Sequence, residues 1–356
     1  MASHLAFTAD TTGELNFPFG IADLRSYALH QPPPATLGSG SKWGPTHLSA
    51  FHVVTKTNLP VEAVVPGHLL PSRDVVRAAI PSLFSVDGDV VRDVDFTLKN
   101  APEEIRSTIR SESYTFYRNL QAVIAHTSDE SVRSASTTGP DLSSTTDEDK
   151  PENVGEALLK TFVGLVIDSM GPTISRNGKT YEIELRPEPL ERTIRLCGGI
   201  PAIVRSDGWL ALVKSATSKG SRRGRLVGGV TLCGIEAKRY GHEHFIDGIY
   251  GQLFAECLAL AYNNRTKGPG DQETFLIGIH HRKVFIVHVF LPASYLDAIQ
   301  LTVDLPDNVY VVLKRSRVFD LLWSEDRMEM ARAVLAMEAH LGTTANLVGR
   351  MRSDPL

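Results

Sequence analysis

A carboxylate and an ammonium group sit two residues apart in the stretch "TLCGIEAKRY", where a short run from Thr231 to Ile235 gives way to Glu236, Ala237 and Lys238. The run reads as a buried strand. On a strand, residues two apart point to one face, so Glu236 and Lys238 converge while Ala237 faces the other way. A carboxylate taken out of water without a partner costs on the order of several kcal/mol, so the pair needs compensation. One form is a simple ion pair, common on surfaces and worth little. The other is a divalent cation, with the lysine held nearby to handle a water or a developing negative charge.

More acid at the same place would separate the two readings. Asp207 stands in "VRSDGWLALV", at the start of an apolar strand expected to run next to the Glu236 strand. It is also a good turn residue before Gly208. An Asp at one strand's end and a Glu on its neighbour offer two hard oxygen ligands, the kind Mg²⁺ takes while keeping several waters. The helix ahead of these strands, "VGEALLKTFVGLVIDSM", carries Glu156 in its first turn, a position the helix dipole also favours for a carboxylate. The helix after the Glu236 strand carries Gln252 near its start.

These side chains need a framework, and the pattern supplies an α/β one. "TYEIELRPEP", "GIPAIVRSD", "GWLALVKS" and "LVGGVTLCGIEAK" read as strands. "DGIYGQLFAECLALAYNN" reads as a helix with apolar residues on most sides, and "TFLIGIHHRKVFIVHVFL" as a hairpin turning at His280–Lys283. "NVYVVLK" is a further strand, and "EDRMEMARAVLAMEAHLG" an amphipathic helix ending at Gly342.

Ahead of this core lie three other regions. Residues 1–45, with "HQPPPATLGSGSKWGP", are expected to pack loosely. Residues 46–125 read as an N-terminal mixed lobe of short apolar runs ending in one long helix, "APEEIRSTIRSESYTFYRNLQAVIAH". Residues 126–152 are Ser/Thr-rich and acidic, with almost no large apolar group, and read as a disordered linker. The core then occupies residues 153–345.

Helix with Glu156, strand with Asp207, strand with Glu236-x-Lys238, helix with Gln252: in this order the chain resembles the PD-(D/E)xK nuclease superfamily. The resemblance covers residues 152 to 300, and Ser206 stands where the family name expects Pro. It implies a restriction-endonuclease-like central mixed β-sheet flanked by helices. It further implies that Asp207 and Glu236, with the backbone carbonyl of Ala237, bind Mg²⁺ or Mn²⁺. Lys238 would be the catalytic lysine, Glu156 the helical acid, and Gln252 the glutamine of the recombinase-nuclease branch. The activity implied is hydrolysis of a phosphodiester in nucleic acid, DNA before RNA. The N-terminal lobe, with "WGPTHLSAFHVV", is similar to fungal proteins that carry such a domain, a likeness that brings no activity with it.

A nuclease must also hold an acidic polymer. Between the Asp207 and Glu236 strands lies "VKSATSKGSRRGRLVGG", with Lys214, Lys219, Arg222, Arg223 and Arg225 and no acid. Its Gly and Ser content suits a basic finger along a phosphate backbone, although a solvated hairpin is an equal reading. "HHRK" and "LKRSR" (Lys314, Arg315, Arg317) offer further contacts. "GHEHF" (His242, Glu243, His244) lacks the helical spacing of a zinc protease, and no phosphate-binding glycine loop is present.

The formal net charge of −4 across 356 residues argues neither for nor against nucleic acid, so any basic surface is local. Three scattered cysteines (Cys197, Cys233, Cys257) give no disulfide framework and fit a reducing compartment. With neither a signal-peptide pattern nor a membrane-length apolar run, the expected location is cytoplasmic or nuclear. Two other readings stand beside the nuclease: a catalytically silent member of the fold that binds nucleic acid or protein, and an interaction protein whose N-terminal lobe captures a protein partner.

Overall fold

Alternating β-branched and aromatic residues set the strands, and apolar residues three and four apart set the helices. The computed structural model describes residues 17–18, 20–29, 36–86, 88–92, 111–134, 151–171, 174–176, 179–214, 225–238, 249–265, 270–301, 304–306 and 308–343. The chain opens with α1 (Ile21–Leu29), α2 (Pro45–Ala50) and strand β1 (Val53–Leu59). Pro45 begins α2 where its missing N–H removes no intrahelical bond. Helices α3 (Arg73–Ala79), α4 (Pro81–Phe84), α5 (Gly88–Arg92), α6 (Ser111–Ser134) and α7 (Pro151–Met170) follow. Strands β2 (Ile174–Arg176), β3 (Lys179–Arg186), β4 (Leu190–Leu196), β5 (Ile200–Ser206), β6 (Gly208–Lys214) and β7 (Arg225–Lys238) come next. Last are α8 (Tyr250–Arg265), β8 (Gln272–His280), β9 (Lys283–Leu291), α9 (Ala293–Gln300), β10 (Val311–Ser316), β11 (Phe319–Asp320) and α10 (Ser324–Thr343).

The protein is α/β, with one large mixed sheet ordered β1-β10-β9-β8-β7-β6-β3-β2 and β11 beside β9. β1 with β10 and β7 with β8 run parallel; the other pairs are antiparallel. One face is covered by α7 and α10, which bury Phe162, Val166, Val334 and Met337 against Ile235, Ala237 and Ile277. The opposite face carries α8, whose Phe254 and Leu258 share a core with Leu276, Val287 and Leu313. α8 is apolar on most sides for a visible reason: the separate β4–β5 hairpin covers its outer surface, adding Leu196, Ala202 and Val204 to the same core.

The β6 strand that follows Asp207 does run beside β7, and β8–β9 is the expected hairpin with its turn at His280–Lys283. Other elements differ. The strand read at "GIPAIVRSD" leaves the main sheet and pairs instead with β4. Residues 1–45 were expected to pack loosely, yet Ile21, Leu24, Ala28, Leu37 and Trp43 are buried in the α8 core. Helical spacing at 21, 24 and 28 gives α1 an apolar stripe that composition alone hides. The helix read from Ala101 is described from Ser111, and α6 runs to Ser134, into the expected linker; residues 93–110 and 135–150 lie outside the described residues. Residues 46–125 contribute β1 to the main sheet and Val76, Leu83, Phe116 and Tyr117 to the core beneath α7 and α10.

A buried arginine fastens that segment to α10. Arg327 is fully buried and donates at 2.8 Å to the carbonyls of Leu83, Leu321 and Leu322, and also to that of Val86. Its guanidinium lies 5.7 Å from the centroid of the Tyr117 ring. Among the described residues no helix is long and apolar enough to cross a membrane.

Candidate functional site

Asp207 occupies the single residue between β5 and β6, where the chain leaves the hairpin for the main sheet. Its N–H donates to the Ile235 carbonyl at 3.0 Å, and its Oδ2 accepts from the Ala237 N–H at 2.8 Å. Asp207 is thus bonded to the backbone on both sides of Glu236. Gly208 pairs with Ile235, and a Cβ on Gly208 would lie 3.1 Å from Lys160 Cε, so that position faces α7. Strand alternation turns Glu236, next to Ile235 on β7, toward the other face, where α8 lies.

Glu236 meets α8 there. It is 3% exposed, and Gln252 Nε2 donates to its Oε1 at 2.5 Å. The same amide donates at 3.1 Å to Oε1 of Glu256, which is 1% exposed. Two buried carboxylates therefore share one amide, with the half-buried Asp207 alongside. Among the described residues no three His, Cys, Asp or Glu side chains converge as a metal cluster. An ion here would rest on Asp207, Glu236, the Ala237 carbonyl and waters, an all-oxygen set that fits Mg²⁺ or Mn²⁺.

Glu156 stands at the same end of the sheet but on the α7 side. Its carboxylate is ion-paired with Lys160, whose Nζ also donates to the Pro187 carbonyl at 2.5 Å. Gly155 packs on the β8–β9 turn, where a Cβ would sit 3.3 Å from the His281 carbonyl. Asp207, Glu236 and Gln252 are brought together; Glu156 is engaged separately. Lys238 is the last residue of β7, its backbone opposite His280, and its side chain lies outside the described residues. Lys214 and Arg225 are backbone partners at the far end of β6–β7, while Lys219, Arg222, Arg223 and all of "GHEHF" lie outside the described residues.

The other basic stretches divide. In "HHRK", Arg282 is bound by Asp320 at 2.8 Å. Burial first, and then the neighbouring His280, Arg282 and Lys283, hold His281 down to about 4, so its imidazole is neutral at pH 7. In "LKRSR", Arg317 pairs with Asp326 at 2.8 Å and lies over the Phe319 ring at 4.2 Å. Arg315 has a different setting, taken up below. Burial pushes the Cys197 thiol up to about 12 and those of Cys233 and Cys257 upward as well, which favours the protonated thiol in all three.

Glu256 is the site residue that sequence reasoning missed. Its signal was present: a lone acid inside an apolar helix, four residues after Gln252 and so on the same helical face. Glu256 also lines a shallow crevice between α8 and the β4–β5 hairpin, together with Arg192 and Ser206. Comparison with known proteins returns no matching family model and no matching curated protein.

Proposed function

We propose that this α/β chain is a metal-dependent phosphodiesterase acting on nucleic acid, on a restriction-endonuclease-like sheet of the PD-(D/E)xK type. One observation carries the reading: Asp207 is bonded to both backbone neighbours of Glu236, whose carboxylate is held by Gln252. This ties Asp207 to the backbone that carries Glu236, which supports the reading that the two acids act at one place. Asp207, Glu236 and the Ala237 carbonyl would hold Mg²⁺ or Mn²⁺, which when bound lowers the pKa of a water and polarises a phosphoryl oxygen. Gln252 fixes the rotamer of Glu236 by donating to its Oε1. Glu256 adds negative charge that disfavours loss of the cation. Lys238, two residues beyond Glu236 on β7, is proposed to meet charge growing on phosphorus or to orient the attacking water.

The second reading, a silent binding module on the same fold, is favoured by one observation. The helical acid Glu156 is tied to Lys160. Purified full-length chain incubated with plasmid DNA or single-stranded RNA and Mg²⁺ or Mn²⁺ separates the two. Cleavage is expected, falling at least about a hundredfold in Asp207→Asn and Lys238→Ala. Cleavage undiminished in both variants sinks the hydrolase reading; strand binding without any cleavage supports the silent module.

A further inference from the structure

Arg315 carries a positive charge that no acid among the described residues answers. It is 7% exposed, yet its Nε and Nη1 are buried with no hydrogen-bond partner among the described residues. The guanidinium sits against carbon instead, 5.5 Å from the Phe285 ring centroid and 5.8 Å from that of Tyr250. Both rings can offer cation–π attraction, but neither accepts the N–H bonds. An arginine stays protonated in proteins, so it cannot escape burial by losing its charge. The contrast with its neighbours is internal to the chain: Arg317 has Asp326, and Arg282 has Asp320.

Its location gives the missing partner a sign and a place. Tyr250 is the first residue of the 16-residue α8, two before Gln252. A helix start carries the positive end of the helix dipole, which favours a negatively charged partner. Phe285 lies over Gly278, whose absent side chain makes room for the ring, and Gly278 is the β8 partner of Glu236. Alternation along β10 puts Arg315 on the same sheet face as Val311 and Leu313, the face that carries α8. Across that face Glu236 pairs with Gly278 and Gly278 with Phe285, while Arg315 pairs with Val287, two residues along β9, and reaches the Phe285 ring diagonally. Three strand spacings of about 4.8 Å separate β7 from β10, roughly 14 Å, which a nucleic-acid strand covers in a few nucleotides.

We infer that Arg315, with the first turn of α8, forms a phosphate-binding site that holds the bound strand a few nucleotides from the Asp207–Glu236 centre. The identity of the carrier as nucleic acid rests on the proposed function; the need for an oxyanion rests on the unpartnered guanidinium. The planar fork of Arg315 matches two phosphate oxygens at once, as a lysine's point charge does not.

The test uses the full chain in EDTA, so that binding is read without cleavage. Thermal unfolding is followed against inorganic phosphate, with sodium chloride at equal ionic strength as control, and binding of a labelled oligonucleotide is read by anisotropy. The wild type should gain melting temperature saturably with phosphate and not with chloride. Arg315→Met should lose that gain and bind the oligonucleotide at least about tenfold more weakly, while melting no lower than wild type in chloride. Arg315→Lys, which keeps the charge and loses the fork, should also weaken phosphate binding, and it carries the test if the Met variant does not fold. An equal phosphate-specific gain in wild type and Arg315→Lys, or none in the wild type, overturns the proposal. Phosphate protection that depends on Arg315 in a protein that cuts nothing leaves this site standing and removes the hydrolase reading. Cleavage with Arg315-independent protection does the reverse.

Discussion

Replacing Glu338 by Gln should stabilise the protein at neutral pH and do little in mild acid. Glu338 lies on α10, fully buried, and neither carboxyl oxygen has a hydrogen-bond partner among the described residues. Burial pushes its carboxyl from an ordinary value of 4.5 up to about 8. A folded value above the unfolded one means the native state holds a proton that the unfolded chain has already released. The resulting penalty is absent below pH 4.5, grows through the window up to about pH 8, and is then constant. At about 1.4 kcal/mol per pH unit, the rise from 4.5 to pH 7 amounts to roughly 3 kcal/mol. Glutamine has nearly the shape of the protonated acid and cannot ionise, so the variant should avoid that penalty. The assay is urea denaturation of both proteins at pH 5, 6, 7 and 8. The stability difference between them should widen with pH toward about 3 kcal/mol at pH 7. A difference that stays flat across the four pH values refutes the argument, because it would place Glu338 in contact with water or with a compensating donor.

Gln252→Leu should cost about 2–3 kcal/mol of stability, since it strips a donor from two buried carboxylates, and Gln252→Leu with Glu256→Leu should recover part of that loss, both read by denaturant unfolding. Glu273 accepts from His288 and His340, each at 2.8 Å. Burial raises its carboxyl, but the two imidazole bonds outweigh that and bring it to about 2, below an ordinary 4.5. The associated stability is therefore present above pH 4.5 and lost as pH falls toward 2, and Glu273→Gln should flatten that acid limb in a pH-dependent melting series. Arg327→Met leaves four buried carbonyls without their donor, and should lower stability by about 3–5 kcal/mol and expose residues 73–92 to limited proteolysis ahead of the rest of the chain.

The part of the site that was legible in the sequence is the part fixed by local pattern. Acids that interrupt apolar strands stand out, so Asp207 and Glu236 were visible. Their meeting followed from β6 and β7 being successive strands joined by one loop. Gln252 followed from its place at the start of the next helix. What was hidden depends on partners that arrive from far along the chain. Lys314, Arg315 and Arg317 look alike as neighbours in "LKRSR", yet Arg317 finds Asp326 on α10 while Arg315, among the described residues, lies against aromatic faces. Nothing within six residues distinguishes them. Glu156 read as a site acid, but Lys160, one helical turn later, was equally visible and is its partner. The β5 strand was recognised as a strand, while its departure from the main sheet rests on pairing with β4 rather than on its own alternation. The burial of Ile21, Leu24 and Trp43 came from α8, more than two hundred residues away in the chain, whose surface they cover.

The parallel pairing of β1 with β10 has a consequence for biogenesis. Val53 lies against Val311, so the strand made first among those described waits for a partner synthesised about 250 residues later. At a translation rate of about 5–20 residues per second, that delay is on the order of tens of seconds. Until the ribosome delivers the last stretch, the nascent chain exposes a seven-residue strand edge with no neighbour. An edge left open for that long is a site for aggregation, and truncation upstream of Val311 should yield aggregates rather than a smaller folded protein.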